Sequence, residues 1–164
     1  MNCDLPTLAF VVGFLSTTAV LAQTSANWKA ISAGNAFTFL APPDTAPYSD
    51  GGKAIDSFVG MYRNAKFTLM FDYGRWSNDL SGLSSRPGYT TEQARIDGQD
   101  AIIVSGRGGN FNGCTDYMSA VYIVVSPSFG SGGTTRLMMS GCTRDVGALP
   151  DIQAVFRSLR FSTD

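Results

Sequence analysis

The chain has no histidine among its 164 residues, which removes at once the commonest general base and the commonest metal ligand. Ser-His-Asp and Cys-His catalysis are therefore excluded in their usual forms. Charge is also scarce, at 15% of residues against roughly a quarter in ordinary soluble proteins. Its twelve Lys and Arg are scattered singly from Lys29 to Arg160, without a basic run. Nucleic-acid binding draws on clustered cations that release counterions, so no nucleic-acid partner is expected. Internal repeats, heptads and low-complexity tracts are missing too.

What is present suits one turn-rich domain. Hydrophobic residues reach 44%, enough for a sizeable core in a chain of this length, and there are 18 Gly. The longest apolar run lies at the start, where Leu8 to Ala22 reads LAFVVGFLSTTAVLA. It is shorter than the ~20 apolar residues that span a bilayer comfortably, and it ends in Val20-Leu21-Ala22 before a polar stretch. That pattern predicts a signal peptide over residues 1–22, cleaved after Ala22. Its departure from the usual pattern is the lack of a Lys or Arg before the apolar run. The expected product is a periplasmic or secreted domain over residues 23–164, with no stable membrane span and equal numbers of acids and bases.

Three cysteines occur, and Cys3 would leave with the leader. The remaining pair, Cys114 and Cys142, is then expected to form one disulfide in an oxidising compartment. Redox motifs usually hold their cysteines two residues apart, so a structural bridge is the better reading.

Along the mature chain, Phe37 and Phe39 alternate with Thr38 and Leu40, a strand stopped by Pro42-Pro43. DTAPYSDGGK reads as a loop. IDSFVGMYR and KFTLMFDYG, joined at Asn64-Ala65, read as a hairpin. From Gly74 to Glu92 runs the longest irregular stretch, and such stretches are often functional. Asp97-Gly98 then marks a turn between two strands, and Ala101 to Val104 is apolar enough to be buried on both faces. YMSAVYIVV and TRLMMSGC read as two further strands joined by SPSFGSGG. Pro150 and Asp151 suit a helix start, and Ile152, Val155, Phe156 and Leu159 fall on one helical face, with Arg160-Phe161 able to add a last strand. The fold class expected is α+β: a mostly antiparallel sheet of about six to eight strands, with a C-terminal helix packed on it.

Chemistry-bearing constellations are few. Asp72, Asp79, Glu92, Asp97 and Asp100 could supply a carboxylate pair, but no spacing picks two of them out. Ser105, Ser140 and Lys53 show no activating partner. Gly106, Gly108, Gly109 and Gly113 with Arg107 lack the following helix and the Lys-Ser/Thr of a phosphate loop, and read as hairpin turns. With both mature cysteines oxidised and no EF-hand alternation, neither metal nor cofactor is expected. The segment Tyr73, Arg75, Trp76, Asn78 and Asp79, continuing to Tyr89, is the candidate site. Aromatic rings beside an Arg and small polar groups can stack on a sugar or dock a protein, or the same rings can plug the sheet edge.

Three phrases carry a resemblance: Phe37-Thr38-Phe39-Leu40-Ala41-Pro42-Pro43, then Ile96-Asp97-Gly98-Gln99-Asp100-Ala101-Ile102-Ile103-Val104, then Ile152 to Phe161. In that order they resemble the PsbP-like superfamily, including the bacterial DcrB-like lipoproteins, over most of the mature chain. The resemblance implies an antiparallel sheet flanked by helices, a PsbP-like sandwich, and a non-enzymatic accessory, assembly or binding role outside the cytoplasm. It transfers no functional residue. The chain departs from it where a helix often follows the first strand, since DTAPYSDGGK is loop-like. Two functions are thus expected: a non-catalytic module docking a protein or glycan of the cell envelope through residues 74–89, or a small hydrolase using a carboxylate pair or an unconventional serine.

Overall fold

A computed structural model describes residues 27–49, 57–125 and 134–162. The expected signal peptide and its cleavage point, Lys53, Ile55-Asp56 and the SPSFGSGG connection lie outside the described residues. Ten strands, one helix of nine residues and one short helical turn form the domain, in the order β1 (Lys29–Ala33), β2 (Phe37–Ala41), β3 (Ala46–Ser49), β4 (Ser57–Arg63), β5 (Phe67–Gly74), α1 (Ser81–Ser84), β6 (Thr90–Ile96), β7 (Gln99–Arg107), β8 (Tyr117–Val125), β9 (Thr135–Thr143), α2 (Leu149–Arg157) and β10 (Arg160–Phe161). A 3-10 turn, Val146–Ala148, leads into α2.

All pairings are antiparallel, so the expected α+β class holds. Seven strands form one sheet in the order β3-β4-β5-β9-β8-β7-β6, and β1-β2-β10 form a second. Local chemistry sets the turns. Asp97 (φ 50°) and Gly98 (φ 77°) make the two-residue hairpin turn between β6 and β7. Between β4 and β5 the Asn64 carboxamide accepts from the N–H of Lys66 and of Phe67, both at 2.8 Å, closing the turn without a glycine.

Two strands were not expected. Ala46–Ser49, read as loop, pairs with β4 as the edge of the large sheet. Its four residues are all exposed and so lack the alternation that marks a half-buried strand. Pro47 is tolerated there because an edge strand leaves one row of donors unused. β1 escaped for a related reason: it is short, mostly exposed, and pairs only with β2.

The large sheet has two apolar faces. Against the inner face lie α2 and the small sheet. Ile152, Val155, Phe156 and Leu159, all fully buried, bring the expected helical face onto the core. Phe37 meets Phe71 edge-on at 5.1 Å between centroids, and Phe39 meets Tyr62 at 5.4 Å. Ser158 ties the helix end to β2, its Oγ accepting from the Leu40 N–H at 2.8 Å. At the helix start, Lys66 pairs with Asp151 at 3.1 Å.

On the outer face a smaller core forms. Leu80, Leu83 and Cys114 cover Val104, Met118, Ala120 and Met138. Cys114 and Cys142 are joined as a disulfide, 28 residues apart, as expected. Because Cys142 stands opposite Met118 on β9, the bridge clamps the 108–116 loop onto this face.

Two outcomes test this packing. Reducing the disulfide is expected to cost about 3 kcal/mol by loop-closure entropy, seen as a lower melting temperature in calorimetry, and an unchanged transition would contradict it. Gly141 lies directly beneath α2, where an added Cβ would come within 2.3 Å of Ile152 Cγ2. Gly141→Ala is therefore expected to destabilise the domain by about 1–3 kcal/mol in denaturant titration.

Candidate functional site: a cleft on the outer face

The chain leaves β5 at Gly74 and returns to the sheet at Thr90. Between them it is pinned at defined points. The Ser77 hydroxyl, 6% exposed, lies 2.9 Å from the carbonyl of Asp72 and 3.3 Å from that of Arg136, holding the segment to β5 and β9. Asn78 Oδ1 accepts from the Leu80 N–H at 2.8 Å, and Asp79 Oδ1 from the Ser81 N–H at 3.0 Å. These bonds hold Leu80 at φ 62°, a left-handed conformation that a bulky residue seldom adopts. Leu80 and Leu83 then bury against the outer face, at 1% and 2% exposure. The apolar side chains point down, so the polar ones are presented upward.

What they surround is a cleft of about 600 Å³. Trp76, Asn78, Asp79 and Arg86 come from the segment, Phe111 from the disulfide-clamped loop, and Tyr122 and Arg136 from β8 and β9. Trp76 is 71% exposed, so its ring does not plug the sheet edge. The Arg75 guanidinium lies over that ring, 5.6 Å from its centroid. Arg136 donates from Nη1 to the carbonyl of Arg75, bracing the base of the turn.

Of the six residues singled out in the sequence, Trp76, Asn78 and Asp79 line the cleft and Arg75 stands at its rim against Trp76. Tyr73 and Tyr89 are placed elsewhere. Tyr73 is on the inner face, its ring 5.7 Å from Phe37, where burial pushes its hydroxyl pKa up. The half-buried Tyr89 packs on Gly106 and donates its hydroxyl to the carbonyl of Arg107, anchoring the segment's far end to β7.

Arg86, Phe111, Tyr122 and Arg136 were not found from the sequence. One local signal was available: Leu80 and Leu83 have the three-residue spacing of a helical turn that buries one side. It implies that the residues between and after them face solvent. Arg136 and Tyr122 carry no such mark, since only strand register brings them beside the 75–86 segment.

Asp79 is the one carboxylate among the lining residues, and the Ser77 hydroxyl is engaged by backbone carbonyls. Neither a carboxylate pair nor an activated serine is assembled in this cleft. Of the two serines raised by the sequence, Ser105 sits beneath α2 and bonds Ser119 at 2.7 Å and Gln153 at 3.0 Å, and the buried Ser140 hydroxyl accepts from Asn112 Nδ2 at 3.4 Å. The sequence matches no protein-family model and no curated protein.

The hydrogen bonds that Asp79 accepts from Ser81 hold its carboxyl below the usual carboxylate range, with a smaller contribution from Arg136. A depressed carboxyl is ionised above its ordinary pKa of about 4 and loses its stabilising bonds only as pH falls through a lower value. Arginine does not titrate near neutrality, and histidine is lacking. The charge of the cleft is therefore constant from about pH 5 to 8. Tryptophan fluorescence of the folded protein is expected to stay flat across that window, and a sigmoidal step inside it would contradict this account.

Proposed function

We propose that the chain is an extracytoplasmic, non-catalytic binding module that docks a glycan in the cleft beside Trp76. The observation that carries this reading is a tryptophan 71% exposed at the mouth of a concave site lined by both aromatic and polar side chains. Exposing a large aromatic ring to water is unfavourable, and a sugar's apolar face is a fitting partner for it. Asn78, Asp79, Arg86 and Arg136 supply donors and acceptors around that ring for hydroxyl groups. Concavity favours a chain that enters the site over a broad, flat protein interface. A hydrolase would need a second catalytic group, and the cleft supplies no obvious one.

Two features support the extracytoplasmic setting: the apolar run from Leu8 to Ala22, read as a signal peptide, and the disulfide that cross-links the domain. Among the described residues, no helix is long and apolar enough to cross a membrane. A PsbP-like accessory role in the cell envelope is compatible with this picture and gives it a setting.

Trp76→Ala is expected to weaken glycan binding about tenfold in isothermal titration while leaving the melting temperature within a degree or so. A large loss of thermal stability with unaltered binding would assign Trp76 to the fold instead. Retention of a protein partner, with no glycan bound by either form, would replace the glycan by a protein.

A further inference from the structure

We propose that the cleft selects an acidic sugar, receiving the carboxylate of a uronate unit on Arg86 and Arg136 while the pyranose ring lies on Trp76. The inference rests on the glycan reading above and names the class of glycan.

Three ion pairs occur among the described residues: Lys66 with Asp151, Arg157 with Glu92 and Arg160 with Asp97. None of them is at the cleft. There, Arg75, Arg86 and Arg136 stand against the single carboxylate of Asp79, and none has an acidic oxygen within 4.0 Å among the described residues. Asp79 is itself occupied, accepting from the Ser81 N–H at 3.0 Å. The whole chain carries a formal charge of −1, so this local excess of cations is a feature of the site and not of the composition.

Arg86 is the plainest case. It is exposed and lines the cleft; its backbone bonds to Leu83 and Tyr89, while its side chain makes no hydrogen bond or ion pair with any described residue. Its guanidinium lies over Gly109, where an added Cβ would approach Nη1 at 3.3 Å, so the missing side chain leaves it room. Arg136 is held in place by donating from one nitrogen to the Arg75 carbonyl, and its remaining N–H groups make no bond to a described residue. A guanidinium is planar and forked, matching the two oxygens of a carboxylate. The hydroxyl groups of a neutral sugar can accept single bonds from these arginines but offer no charged pair of oxygens to match the fork. An anionic sugar uses both the stacking ring and the fork.

The test is isothermal titration of the full-length oxidised chain against four probes at low ionic strength: an oligogalacturonide, a sulfated oligosaccharide of similar length, a neutral cello-oligosaccharide and an oligoglutamate peptide. The expected result is tightest binding of the oligogalacturonide, at least tenfold above the neutral sugar, weakening as salt rises. Arg86→Gln is expected to lower that affinity about tenfold with an unchanged melting temperature, and Arg86→Lys to restore part of it. Equal affinity for acidic and neutral sugars would overturn the acidic subsite and leave the glycan reading standing. Stronger binding of the sulfated probe would overturn the carboxylate assignment. Tightest binding of oligoglutamate would overturn the sugar, and binding of no probe would bring down this inference and the glycan reading together.

Discussion

A sheet with two apolar faces needs two covers, and that requirement organises this molecule. The central strands β5, β9, β8 and β7 carry large side chains on both sides, so neither face can be left to water. On the inner side the cover is complete, with α2, the Leu159 that follows it and the small sheet burying Ile152, Val155, Phe156, Leu159 and two phenylalanines almost fully. On the outer side it is partial. The 75–89 segment and the 108–116 loop spread over Val104, Met118, Ala120 and Met138 and leave a gap between them.

The cleft is that gap. Its walls are rigid for two separate reasons: Leu80 and Leu83 nail one wall down through burial, and the Cys114–Cys142 bridge clamps the other. Leu80 keeps a backbone conformation that costs energy for a bulky residue, and its burial together with the Asn78 side chain offsets that cost. Trp76 and Arg86 sit on the solvent side of the same segment, so the anchoring leucines determine where the exposed groups point. Fold and candidate site share one set of contacts.

The division between the two faces also separates structural polar groups from available ones. Ser105, Ser119 and Gln153 satisfy one another beneath α2, as buried polar groups must. Glu92, Asp97 and Asp151, which sequence alone could offer as catalytic or surface acids, are taken by Arg157, Arg160 and Lys66. Asp72 is different: its Oδ1 is buried with no hydrogen-bond partner among the described residues. It stands opposite Met138 on the outer face, the less completely packed side of the sheet.

By itself the sequence determined what short-range pattern encodes. The alternation of Phe37 and Phe39, the Asp97-Gly98 turn and the Ile152, Val155, Phe156 and Leu159 face specify their structures through neighbours a few residues away, and the pairing of Cys114 with Cys142 was expected by elimination of Cys3. It also brought Trp76, Asn78 and Asp79 into one candidate site, because they are adjacent in the chain. Tyr73 and Tyr89 were grouped with them by the same adjacency, and wrongly as to place: strand alternation sends Tyr73 to the inner face, and Tyr89 lies on Gly106. Only the tertiary structure decided that Arg86 would line the same cleft as Arg136, fifty residues later, together with Tyr122 and Phe111. Those neighbours depend on the order β5-β9-β8, and strand order is a long-range outcome of packing that no local spacing records.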